Sequence, residues 1–206
     1  GSGGRPPPGG NWLTVRVADP DYEPASVLPR PWTTVVNPDL SFRISGLIGP
    51  LRLSSTPALA PAVWLKTATM GGVNIAEEPA LFGRRDDTNT FVDVVLADDG
   101  AEVSGRVVNG RKEPVDQYVV AAFPVATEHR YSGSRYIRIV RPDERGAFRT
   151  GMLPPGDYWL VAIEAFEDAA IQDPEVVRAL IDAGRRMSLA TGDKVTAELP
   201  LARWRR

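Results

Sequence analysis

Residues 142–165 read PDERGAFRTGMLPPGDYWLVAIEA, and the reading of this stretch decides the fold. Phe148 and Leu153 set apolar side chains along one extended arm, and 158–162 (YWLVA) sets aromatic and branched residues along a second. Between the arms stands the rigid pair Pro154 and Pro155, followed by Gly156, where a turn meets no steric penalty. The pattern predicts two strands joined as a hairpin. Nothing in it is catalytic, so it speaks to architecture before chemistry.

Working outward, 102–108 alternates around Val103, Gly105 and Val107 and ends at the turn signal Asn109-Gly110. Residues 117–123 form a strongly apolar strand, 127–134 a polar loop and 136–140 another strand. Asp173, Pro174 and Glu175 start a helix, with Asp at the N-cap and Pro at the first helical position, and Gly184 ends it. Val176, Val177, Leu180 and Ile181 share one face of that helix. Residues 187–189 and 194–201 finish as strands around the turn Thr191-Gly192-Asp193.

The stretch returns, altered, nearer the start. Residues 13–20 (LTVRVADP) match 117–124 (QYVVAAFP) at an offset of 104, Phe42 and Leu47 match Phe148 and Leu153 at 106, and 91–97 match 194–200 at 103. Near-constant offsets indicate a tandem duplication. Strands are accordingly expected at 13–17, 32–36, 41–44, from residue 50, at 63–69 and at 91–96. The layout is a Gly/Pro-rich arm at 1–10, a first β-sandwich at 11–99, a second at 100–202 and a basic tail at 203–206. Carried back by the same offset, 102–108 lands at −2 to 4, so the first unit is expected to lack its opening strand. Phe148, Leu153, Tyr158, Leu160, Val119 and Ala121 are the expected core of the second unit, with Phe42, Leu47, Val15 and Val94 as counterparts.

The segments SGRVVNGRKEPV, AAFP, PDERGAF, LPPGDY and TAELPL resemble the carboxypeptidase regulatory-like domain of the transthyretin-like (prealbumin-like) superfamily. The likeness covers 101–202 and, more weakly, 11–100. It implies an all-β fold of two tandem Greek-key sandwiches, with one short helix inserted in the second. It also implies an accessory or surface module, with no catalytic residues to carry over.

Composition narrows the function. The 206 residues are 43% apolar and 24% charged, and 19 Gly with 19 Pro suit a turn-rich β protein. A net charge of −2 gives no global attraction to nucleic acid or anionic lipid, and no apolar run approaches the ~18 residues of a membrane span. The absence of cysteine excludes disulfides and thiolate sites, and a single histidine, His129, leaves little for a metal cluster. No G-x-S-x-G elbow surrounds Ser132 or Ser134 beside it. Asp86-Asp87 and Asp98-Asp99-Gly100 lack the spaced ligands of a calcium loop. No catalytic, cofactor-binding or metal-binding residue is expected.

Interaction residues are better supported. His129, Arg130, Tyr131, Arg135 and Tyr136, with Arg138 and Arg141, interleave cations and aromatics, a pattern suited to stacking on rings or pairing with acids. Glu164, Glu167 and Asp168 form an acidic set in the same unit. Trp12 near the start, and Leu201 and Trp204 at the end, sit in extended tails able to add a strand to a neighbour's open edge. The expectation is a non-enzymatic extracellular or cell-surface assembly module, or one in the periplasm, joined to copies of itself or to adjacent domains. The alternative is an accessory module holding a glycan or protein for a larger surface enzyme or transporter. Neither reading involves nucleic acid or membrane insertion.

Overall fold

The computed structural model describes residues 14–18, 32–56, 63–83, 90–131, 134–164 and 174–202. The chain divides into two compact units, 1–97 and 98–206, and almost all regular structure in both is β.

In the second unit the strands are β8 (Glu102–Val108), β9 (Pro114–Val115), β10 (Val119–Pro124), β11 (Arg138–Val140), β12 (Ala147–Arg149), β13 (Gly156–Ile163), β14 (Arg185–Leu189) and β15 (Lys194–Ala202). They form one curled sheet in the order β11-β10-β13-β15-β8-β12, with β14 on β13 and β9 on β8. Most neighbours are antiparallel; β15 runs parallel to β8, from Lys194↔Glu102 to Pro200↔Val108. Curling encloses a core of Val103, Val107, Val120, Phe148, Leu153, Tyr158, Leu160 and Leu199. A second apolar layer lies on the other face of β10 and β13, where Val119, Ala121, Phe123, Val161 and Ile163 pack against Val177 and Leu180 of the helix α1 (Pro174–Ala183). Both faces of β10 are therefore buried, which is why its sequence reads as a continuous apolar run. Val119 and Ala121 are buried as expected but belong to the helix-covered layer, because alternate residues of a strand point to opposite faces.

The hairpin expected at 142–165 does not form. β12 pairs with β8, whereas β13 pairs with β10, β14 and β15, so the two arms cross from one side of the curled sheet to the other. Beyond β12 the first arm stays on the opening strand, through Thr150 N–H to the Val103 carbonyl (2.9 Å) and Leu153 N–H to the Ala101 carbonyl (2.7 Å). Pro154 and Pro155 then carry no N–H to prolong that ladder. The Tyr158 hydroxyl donates to the Pro154 carbonyl (2.7 Å) and pins the corner. Phe148 and Tyr158 thus meet side by side in one core without their backbones pairing.

The first unit holds β1 (Thr14–Ala18), β2 (Trp32–Val35), β3 (Gly49–Thr56), β4 (Trp64–Met70), β5 (Val73–Asn74), β6 (Ala80–Phe82) and β7 (Asp93–Ala97). Two sheets result, β2-β1-β3-β6 and β5-β4-β7. The order β2-β1-β3 repeats β11-β10-β13 of the second unit, with antiparallel pairing throughout. Val36, Leu51, Leu53, Leu65, Ala68, Ile75 and Ala76 are its buried core, and Phe42, Ile44, Leu47, Val94 and Leu96 are half-buried against it. The side chain of Val15 and the N-cap Asp173 lie outside the described residues. Residues 41–44, expected as a strand, take no strand pairing among the described residues.

Candidate assembly edge and cationic cluster

Two of the interleaved cations, Arg130 and Arg138, fold back onto the unit's own backbone. Arg130 Nε donates to the Pro124 carbonyl (2.8 Å) and Nη2 to that of Val125 (2.7 Å), while its guanidinium lies 5.7 Å from the centre of the Phe123 ring. Arg138 donates to the carbonyls of Arg135 (3.0 Å), Ile137 (2.9 Å) and Met152 (2.9 Å). Burial holds both guanidinium groups below the usual arginine pKa. Arg130 is thereby tied to the end of β10, and Arg138, at the start of β11, to the arm after β12. Arg135 bonds the Tyr136 hydroxyl through Nη2 (3.3 Å) and sits 5.2 Å from that ring's centre.

His129 stacks on Tyr136, with ring centres 4.1 Å apart and planes 12° from parallel. The pair borders a cleft of about 560 Å³ whose walls include Asp157, Tyr158 and Ser188. Asp157 accepts from Ser188 Oγ and from Arg186 Nη2 (2.7 Å), and these two bonds hold its carboxyl below the usual range. Tyr131 is half-buried and Glu164 exposed. Glu167, Asp168, Trp12 and Trp204 lie outside the described residues. Leu201 is half-buried within β15, paired with Ala162 and packed on the unit's own core, so it is not the free donor residue expected of a tail.

The described residues contain no group of three or more His, Cys, Asp or Glu able to hold a metal ion, and no helix long and apolar enough to cross a membrane. Lys112 forms a surface pair with Glu198 at 3.6 Å, and Lys66 and Lys194 are exposed.

The first unit carries a feature of a different kind. Leu53 N–H donates to the Ile75 carbonyl (2.9 Å) and Ile75 N–H to the Ala68 carbonyl (2.8 Å), so Ile75 continues the outer edge of β3 beyond β6 and links it to β4. The path round the unit therefore runs β2-β1-β3, through Ile75, to β4 and ends on β7. In the second unit the equivalent path reaches β15 and continues through β8 to β12. Among the described residues nothing continues it from β7. The counterpart of β12, at 41–43, likewise has no strand beside it. In these two segments Phe42, Ile44, Val94 and Leu96 are only half-buried, whereas Phe148 and Leu199, matched to Phe42 and Leu96 by the sequence offsets, are 2% and 1% exposed. Phe91 at 85%, Ile48 at 71% and Val95 at 48% add exposed apolar surface in the same two segments.

No protein-family model matches the chain, and no curated protein matches it in sequence. Among solved structures, the Bacillus anthracis TIE protein is similar at a TM-score of 0.32 and 10% identity, over 91% of this chain, which spans 34% of that one. The minor pilin GBS52 of Streptococcus agalactiae is similar at 0.30 and 10% identity, over 91% of this chain and 81% of that one. A streptococcal ancillary pilin is similar at 0.35 and 12% identity, over 94% and 62% of the respective chains. At these scores the likeness is loose, and the β-sandwich reading rests on the chain's own strand pairing.

Proposed function

We propose that this chain is a non-enzymatic assembly module of an extracellular or cell-surface protein, whose first unit is completed by an extended strand placed between β7 and 41–48. One observation carries the reading. β15 has a strand on each edge, whereas β7, its counterpart, has β4 on one edge and no strand on the other among the described residues. An open edge beside half-buried apolar side chains is a template for strand addition, where main-chain bonds supply affinity and alternate side chains fill the core. The resemblance of 101–202 to carboxypeptidase regulatory-like domains agrees with a structural role. So does the use of Arg130 and Arg138 as ties between backbone segments. A strand passed from one copy to the next is a heterologous contact, and repeated without closure it builds a filament.

The test combines light scattering with hydrogen exchange on the intact chain across a concentration series. Association, with amides of 41–48 and 91–97 becoming protected as it proceeds, is the expected result. A monomer at every concentration whose 91–97 amides are already as protected as those of β15 overturns the proposal.

A second reading, an accessory glycan-binding module, is favoured by the cleft beside the His129–Tyr136 stack, where Asp157 and Ser188 supply polar groups near aromatic faces. Saturable binding of an oligosaccharide that is lost in His129→Ala would favour it over strand addition.

A further inference from the structure

The second unit specifies the kind of strand the first one lacks. β8 lies between β15 and β12, parallel to the former and antiparallel to the latter. At the middle of its course Gly105 stands opposite both Ala197 and Phe148. A Cβ built on Gly105 would lie 1.7 Å from the Ala197 carbonyl oxygen, so only glycine allows this approach of the two strands. Two residues to either side, Val103 and Val107 are 0% exposed and fill the core. The working pattern of the strand is thus apolar-x-Gly-x-apolar.

The repeat offsets transfer this geometry to the gap. Ala197 corresponds to Val94 and Phe148 to Phe42, so the glycine position of the absent strand falls between Val94 and Phe42. Its apolar neighbours fall opposite Val92 and Leu96, both half-buried and in need of cover. Resting on the strand-addition reading above, we infer that the partner is an extended peptide segment of the pattern Val-x-Gly-x-Val, bound parallel to β7 with its glycine opposite Val94. The chain's closing residues, 199–206 (LPLARWRR), hold no glycine, and the opening 1–10 (GSGGRPPPGG) hold no alternating apolar pair. Neither tail meets the pattern, whereas 103–107 (VSGRV) does, so the donor is a β8-type strand, which between copies of this chain is β8 itself.

The natural probe is the peptide 101–110 of this chain, AEVSGRVVNG, added to the intact protein. Because the chain has no cysteine, a register can be read directly: Ser104→Cys in the peptide should form a disulfide with Asp93→Cys in the protein, the counterpart of Thr196. The expected result is that crosslink, saturable binding, and binding weaker by about tenfold or more for a peptide carrying Gly105→Val. Tighter binding of peptide 199–206, or a crosslink to Val95→Cys in place of Asp93→Cys as an antiparallel strand would give, overturns the inference. Failure of AEVSGRVVNG while the intact chain still associates through 91–97 overturns the inference and leaves strand addition standing. Failure of both removes the two readings together.

Discussion

Truncating the two matched phenylalanines separates a closed core from an open one. Phe148 is 2% exposed and packed among Val103, Tyr158 and Leu199, so Phe148→Ala deletes a fully buried ring and leaves a cavity, at about 3–5 kcal/mol. Phe42, its match by the sequence offset, is only half-buried against the first unit's core. Half the transfer term and no sealed cavity put Phe42→Ala at about 1–2 kcal/mol in the free chain. With two compact units a single unfolding free energy is not defined, so the measurement should resolve each unit. Urea-dependent hydrogen exchange read by mass spectrometry does this, following β3 and β4 for the first unit and β10 and β13 for the second. Bound strand should raise the cost of Phe42→Ala toward that of Phe148→Ala. Equal costs in the free chain, within about 0.5 kcal/mol, would show the first core to be closed already and refute the gap.

Gly105→Ala should destabilise the second unit by about 1–3 kcal/mol, seen as a lowered urea midpoint of that unit alone, since β8 must move off the Ala197 carbonyl. Tyr158→Phe removes the hydroxyl that pins the Pro154 corner and should cost about 1–2 kcal/mol by denaturant titration. Arg138→Met leaves the Arg135, Ile137 and Met152 carbonyls without that donor and should lower stability by about 1–3 kcal/mol in the same assay. On acidification, Asp157, held low by Ser188 and Arg186, and Asp143, held low by the backbone N–H groups of Ala147 and Arg145, carry depressed pKa values. Their contribution is present above about pH 4 and is lost as pH falls through the lower folded values, so Asp143→Asn should flatten the acid limb of a melting-temperature profile. Burial raises the Tyr158 pKa, so stability is full below about pH 10 and declines as pH rises toward the folded value, a limb that Tyr158→Phe should remove.

Local signals read well from the sequence, and choices of partner did not. The run at 117–123 became a strand buried on both faces, and Val177 and Leu180 did turn inward from the predicted helix. Pro154, Pro155 and Gly156 correctly mark a change of direction, but whether two arms pair with each other or with separate neighbours depends on strands some tens of residues away. Competition from β8 and β10 decided it. The strand expected at 41–44 has the right alternation, with Phe42 and Ile44 half-buried, and takes no strand pairing among the described residues. Arg130 and Arg138 looked ready for a ligand because a sequence does not show which carbonyls a loop will leave unsatisfied. The absent opening strand is an expectation drawn from the repeat, which compares one half of the chain with the other, and it enters the proposal above on that footing. What the repeat did not disclose was β4, which enters between β3 and β7 and has no equivalent among the described residues of the second unit.

The parallel pairing of β15 with β8 has a mechanical meaning. Force applied between the start of β8 and the end of β15 slides two parallel strands along each other, so the hydrogen bonds from Lys194↔Glu102 to Pro200↔Val108 bear it together and must fail together. The second unit should therefore resist stretching well beyond its equilibrium stability, because forced rupture follows the unfolding barrier and not the free-energy difference. β7 has no such parallel neighbour among the described residues, and its antiparallel partner β4 follows β3 in the chain. Under tension the first unit is expected to yield first, and a strand bound parallel beside β7 would give it the same shear lock. Such a strand would then both complete the first unit's sheet and keep that unit from extending.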